Sequence, residues 1–287
     1  MFQSLQEIVE KCKKEEKEFW EVILEDDTME RGVERSASYA KMTDTWDAML
    51  LAAANYDKTQ CSSSGLIGGD GNRMEEYLRT HECLCGDFIG QVIAGALQMG
   101  ESNACMKRIV AAPTAGACGV LPAILVPYFK RNGRNSEYII RSLYVAAGIG
   151  QVIAHRASIS GAKGGCQAEI GSASAMMAGA LVYLEGGNND QIIHAAAMAL
   201  KNMLGLVCDP VAGLVEVPCV KRNVYGAVNA VASAEMAMAG IKSRIPPDQV
   251  IDAMREVGDK MDVSLKETGL GGLAATPFGK EISKKIF

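Results

Sequence analysis

Three stretches in the second half of the chain, around residues 141–155, 173–184 and 192–204, are apolar on almost every side of a helical wheel. They are rich in Ala, Gly and Met, with apolar residues at three- and four-residue spacing, which favours helix over strand. A helix without a polar face has to be enclosed by other protein. The membrane alternative fails on length. The longest apolar run, Ile170 to Leu184, spans 15 residues between Glu169 and Glu185 and is interrupted by Ser172 and Ser174. A spanning helix needs ~20. The pattern therefore implies a soluble all-α protein, a mainly helical bundle with little or no sheet.

Few segments alternate apolar and polar residues with period two. The spacing predicts helices over 3–24, 28–56, 74–100, 120–131, 137–155, 167–185, 190–205, 221–242 and 247–260. The first of these are dense in Lys and Glu, as at Glu10 to Glu18. We expect one domain over 1–287, in which charged N-terminal helices (1–56) wrap a central apolar bundle (74–260). At 287 residues, roughly 73% of the unfolded chain's surface would leave water on folding. Such a core needs no disulfide staples. Pro246-Pro247-Asp248 reads as a helix start, with proline in the first turn where no amide donor is missed.

The net charge of −5 and the 6% aromatic content argue against a nucleic-acid partner, which needs a basic surface and stacking platforms. Nine cysteines, an odd number in a long chain, do not read as a secreted disulfide scaffold. No charged-then-apolar leader precedes the first helix. A reducing cytoplasm is the expected compartment.

Between the helices lie Gly-, Ser- and Pro-rich breaks, and three cysteines sit in them. Cys166 follows Gly164-Gly165, Cys208 opens Cys208-Asp209-Pro210-Val211-Ala212-Gly213, and Cys219 closes Val217-Pro218-Cys219. Loops free of helical geometry can bring sulfurs to one point, and thiolate is the ligand that iron–sulfur and zinc sites select. Three thiolates would leave one iron of a cubane without a protein ligand, able to act as a Lewis acid. Spacing alone matches no compact ferredoxin or zinc-finger pattern, and buried packing thiols are the commoner fate of cysteine. Cys12, Cys61, Cys83, Cys85, Cys105 and Cys118 read as such packing thiols.

Several signatures in order resemble the alpha subunit of the iron–sulfur-dependent L-serine dehydratases (L-serine ammonia-lyases). They are Ala112-Pro113-Thr114 with Gly116-Ala117-Cys118-Gly119; Ala157-Ser158-Ile159-Ser160-Gly161-Ala162; Gly165-Cys166-Gln167; Cys208 to Gly213; and Val217-Pro218-Cys219-Val220 with Arg222-Asn223. Glu267-Thr268 and Gly271-Gly272-Leu273-Ala274 extend the match. The resemblance implies an oxygen-sensitive 4Fe–4S cluster held by Cys166, Cys208 and Cys219, with one open iron, a helical catalytic fold and a separate beta subunit. It also implies an α,β-elimination of water from L-serine, giving pyruvate and ammonia. A related single-chain branch ends in a cysteine that can cap the open iron, whereas this sequence ends Lys284-Lys285-Ile286-Phe287.

The polar loops offer Ser62, Ser64, Thr114, Ser158 and Ser160 to hold the carboxylate and ammonium of an amino-acid substrate, helped by backbone amides. Taken singly, each is better explained as a cap or turn hydroxyl; taken together, at least two are expected to touch substrate. The base is less apparent. Of His81, His155 and His194, His155 lies nearest the signature loops, where a histidine commonly caps a helix C-terminus. The resemblance implies a histidine from the beta portion. Lys163 beside Gly164-Gly165 invites a pyridoxal phosphate Schiff base, but such enzymes are α/β and strands are missing here, so no pyridoxal phosphate is expected. Lys163 and Ala115 both depart from residues common in the family. Three rival readings remain at this level: a 4Fe–4S L-cysteine desulfidase, a non-catalytic iron–sulfur redox or carrier protein, and a zinc-stabilised helical protein.

Overall fold

The computed structural model describes residues 1–133 and 135–287. Its described residues form thirteen α-helices: α1 (Leu5–Glu15), α2 (Phe19–Arg31), α3 (Arg35–Ala54), α4 (Asp70–Thr80), α5 (Gly86–Ala104), α6 (Val120–Asn132), α7 (Ser136–Arg156), α8 (Gly161–Gly164), α9 (Ser172–Leu184), α10 (Asn189–Lys201), α11 (Cys219–Met238), α12 (Pro247–Lys260) and α13 (Pro277–Ile286). The only β pairing among them is an isolated parallel bridge between Cys208 and Lys266. The all-α expectation holds.

α9 is the hub, packed by α7, α10 and α11. Its residues are buried along nearly its whole length, as an all-round apolar sequence requires. Close approach depends on small residues at the crossings. A Cβ added at Gly179 would lie 2.3 Å from Ile149 Cδ1 on α7, so a larger residue there would push the two helices apart. α2 and α3 lie on the outer side of α7, and one contiguous core runs from Phe2 to Met254. No helix among the described residues is long and apolar enough to cross a membrane.

The structure breaks three of the long predicted helices, the second of them (28–56) at Gly32, whose left-handed backbone (φ +62°) ends α2. The first divides at Glu16, whose backbone is left-handed (φ +52°) and donates to Cys12 O. Neither Gly nor Pro marks that position. The third divides between Thr80 and Gly86, which has φ +75°. α13 was not expected. Its Phe278, Ile282 and Ile286 recur at helical spacing in a short, Lys-rich segment, and it packs on the 211–213 turn. Other starts follow local chemistry. Ser4 accepts from Glu7 N at 3.0 Å, Asn188 and Gln191 form a reciprocal capping box, and α12 begins at Pro247 as expected.

Candidate metal centre and active site

The bundle leaves its signature loops together at the start of α9, the start of α11 and the 205–213 and 262–275 segments. Cys166 follows Gly165, whose φ of +76° suits glycine alone among common residues. A Cβ there would also sit 2.6 Å from Met261 Sδ and 2.9 Å from Leu206 O. Gly165→Ala is therefore expected to destabilise the fold by about 1–3 kcal/mol, measurable as a lowered urea midpoint with an unchanged m-value.

Beyond Cys166 the chain makes one wide π turn, Gln167–Gly171, before α9 begins. Such turns are frequent at functional sites because they redirect side chains from a helix. Gln167 is fully buried. It accepts from Gly205 N at 3.0 Å and donates to Met254 O at 3.1 Å, tying the turn to α12 and to the loop that leads to Cys208. Cys208 is held by backbone: its N donates to Leu265 O at 2.8 Å and its O accepts from Glu267 N at 2.7 Å. Glu267 itself has φ +62°, a strained non-glycine backbone of the kind that collects at working sites.

Cys219 opens α11, and one turn later come Arg222 and Asn223. The Asn223 amide donates to Gly116 O at 2.8 Å and to Cys219 O at 3.0 Å, and accepts from Gly119 N at 2.8 Å. It clamps the 112–119 loop to the cysteine-bearing helix. Asn223→Ala would strand these buried backbone groups at a cost of about 2–3 kcal/mol. The expected outcome is a lowered urea midpoint together with faster hydrogen exchange across 114–119; exchange unchanged there would deny the clamp.

Arg222 donates to Val207 O at 2.7 Å and to Asp209 Oδ1 at 2.8 Å, and its positive charge favours the Cys166 thiolate. Asp209 is buried and accepts from Leu273 N at 2.8 Å on its other oxygen. This ion pair joins both cysteine loops to the C-terminal segment.

The three predicted ligands are all buried, at 2% (Cys166), 2% (Cys208) and 7% (Cys219) exposure, and all free thiols. The donor atoms of Cys166, Cys208 and Glu169 lie within 4.8 Å of one another. Cys219 stands just outside that trio, close enough for its titration to feel the charge of Cys166. Glu169 was not singled out in the sequence as a site residue. Thr114 Oγ1 donates to its Oε1 at 2.8 Å. Its carboxylate faces Gly161 and Gly116, where added Cβ atoms would fall 2.7 and 3.3 Å away. The signal was present: Glu169 follows Cys166 by three residues, as Arg222 follows Cys219, and helical neighbours three apart share a face.

Electrostatics describe a site short of positive charge. The Cys208 thiol hydrogen-bonds Cys166 and holds that sulfur below the usual thiol range, helped by Arg222 and opposed by burial. Cys208 is pushed far up, first by that same bond and then by burial. Burial lifts Cys219 to about 12, with the charge of Cys166 adding to it. Burial likewise raises Glu169. Three thiols and a carboxyl thus crowd one guanidinium, and ionising all of them requires further cation charge. A metal centre is what such a soft donor set accommodates.

The five predicted hydroxyls separate. Thr114 reaches Glu169. Ser62 and Ser64 both donate to Glu216 Oε2, Ser62 at 3.0 Å, in a buried node three residues before Cys219. Ser158 Oγ accepts from Ser160 N at 3.1 Å in an ST turn, with Ser160 exposed. Lys163 and His155 are exposed too. Lys163 lines a shallow cavity of about 170 Å³ with Ser158, Gln167, Met254 and Gly258.

Comparison with known proteins agrees with this geometry. Residues 7–274 match the family model described as serine dehydratase alpha chain. The chain is 46% identical over 287 residues to the probable L-serine dehydratase alpha chain of Bacillus subtilis, covering all of this chain and 96% of that one. It is 40% identical over 285 residues to the L-serine dehydratase alpha chain of Peptoniphilus asaccharolyticus, covering 99% and 98%. To the L-serine dehydratase of Helicobacter pylori it is 35% identical over 285 residues, which is 62% of that longer chain. With the match spanning every loop that builds the thiol site, this chain belongs to the serine dehydratase alpha chain family.

Proposed function

We propose that this chain is the cluster-bearing alpha component of an L-serine ammonia-lyase, converting L-serine to pyruvate and ammonia. The observation that carries the reading is the convergence of buried Cys166 and Cys208, with Cys219 beside them, inside a match to alpha chains named for serine dehydration. Those three residues would hold a 4Fe–4S cluster. When bound, the cluster supplies a Lewis acid that makes the serine β-hydroxyl a better leaving group.

The remaining work falls to the chain itself. Arg222 balances the Cys166 thiolate, and Asp209 and Val207 O orient its guanidinium. Asn223 keeps the Thr114 loop against α11. Thr114, Ser158 and Ser160 present hydroxyls on the loops around the thiols, while Ser62 and Ser64 act through Glu216 at the base of the Cys219 loop. The elimination removes the Cα proton and the β-hydroxyl as water. The released aminoacrylate tautomerises to an imine, and hydrolysis of that imine consumes one water and gives pyruvate and ammonia.

His155 is exposed at the end of α7, and we assign the Cα proton acceptor and full activity to a beta subunit, as the family resemblance implies. The longer Helicobacter pylori relative, which carries additional chain beyond the matched part, supports a second component. The test is iron and acid-labile sulfide content with pyruvate formation measured anaerobically, for the chain alone and with its partner. We expect four iron and four sulfide per chain and turnover only with the partner. One zinc per chain without sulfide, or a preference for L-cysteine over L-serine, would refute the reading.

A further inference from the structure

Glu169 stands out once the thiols are placed, because it is a largely buried carboxylate with no ion-pair partner among the described residues. The guanidinium of Arg222 is committed to Asp209, Val207 O and Cys166. Among the described residues the side-chain hydrogen bond to Glu169 comes from the neutral Thr114 hydroxyl, on Oε1. Its other oxygen and the Cys208 sulfur both border Gly161, 2.7 and 3.1 Å from where a Gly161 Cβ would be. A carboxylate buried without a counter-charge is costly unless it neutralises itself or meets a metal. Here it meets the same donor set as Cys166 and Cys208, with all three donor atoms within 4.8 Å of one another.

We propose that Glu169 is a fourth protein ligand of the metal centre, binding the iron that Cys166, Cys208 and Cys219 leave without a thiolate. This rests on the cluster reading above and deepens it. The π turn is the device that makes the ligation possible. It follows directly on Cys166 and contains Glu169, and the donor atoms of the two lie within 4.8 Å of each other, while Thr114 fixes the carboxylate from the opposite loop and glycines at 116 and 161 leave the space around it free. Carboxylate is a harder donor than thiolate, so the fourth position would be held by the ligand that iron retains least firmly and that substrate can displace, which keeps the Lewis acid of the proposed reaction available. Thr114 is then a positioning residue that acts through Glu169.

The experiment uses the anaerobically reconstituted full chain, labelled with 13C at its glutamate side-chain carboxyl carbons and reduced for electron–nuclear double resonance. A 13C hyperfine coupling is expected in the wild type and its absence in Glu169→Gln. The labile iron of Glu169→Gln should pass to an external chelator about tenfold faster or more, with Thr114→Val shifted the same way by less. The wild-type measurement stands even if a variant fails to fold. No coupling in a wild type holding full iron and sulfide would overturn the ligand and leave the cluster reading intact. A wild type lacking iron and sulfide would overturn both. Unchanged coupling and chelation in Glu169→Gln, with a raised KM for L-serine, would assign the carboxylate to the substrate ammonium and overturn the proposal too.

Discussion

Cys208→Ala is expected to abolish both the broad visible absorption of a reconstituted iron–sulfur centre and serine turnover, a loss of about 10³-fold or more in activity. Cys208 is the most constrained of the three thiols. Its backbone is fixed on both sides by the short pairing with Leu265 and Glu267, and its sulfur lies among the donor atoms of Cys166 and Glu169. Nothing nearby can replace it, because the neighbouring segment is Asp209-Pro210 and the other thiols lie on separate elements. Truncation removes one sulfur atom from a buried place, so the fold should persist at a cost of about 1–2 kcal/mol. Circular dichroism should therefore be unchanged while the broad visible absorption of the iron–sulfur centre disappears. The matched control is Cys85→Ala, a thiol exposed at the surface, which should change neither. Absorption retained in Cys208→Ala would break the ligand assignment.

Arg222→Met should carry the second largest effect, and it should strike stability and loading together. The Asp209–Arg222 pair has side-chain exposures of 4% and 15%. Removing the cation leaves Asp209 buried and uncompensated, at a cost of about 3–5 kcal/mol. Val207 O loses its donor at the same time, which loosens the residue next to Cys208. The positive charge beside Cys166 goes as well, so that thiol should ionise less readily and take up metal more slowly. Arg222→Lys keeps the charge but not the forked geometry, and should recover part of the loading and little of the orientation. The expected results are a lowered urea midpoint in the metal-free protein and a reduced iron-to-protein ratio after reconstitution. A full iron complement in Arg222→Met would show that the guanidinium serves the fold alone.

Both predictions turn on contacts between segments far apart in sequence, and this marks where sequence reasoning reached its limit. The all-α class was legible because α9 has no polar face and α10 and α7 only a narrow one, which a helical bundle can bury. The cysteine loops were legible because Gly and Pro punctuate them. The break at Glu16 was not, since a charged residue in left-handed backbone leaves no compositional mark. α13 was passed over for a related reason: a short, Lys-rich amphipathic segment gains its helicity from packing on the 211–213 turn rather than from propensity. Among the candidate hydroxyls, sequence could propose five, yet only the folded chain sends Thr114 to Glu169 and Ser62 with Ser64 to Glu216.

The sequence by itself determined the helical class, the set of soft donors and the order of the loops that carry them. These follow from local rules of periodicity, chain-breaking residues and ligand chemistry, together with the family signatures around the cysteines. The tertiary structure decided which of those donors share a point and which charges face them. It placed Glu169 among the thiols, gave Arg222 to Cys166 and Asp209, and tied Cys208 to a segment nearly sixty residues downstream. A side chain's partners depend on where the backbone closes over long loops, and no local pattern encodes that closure.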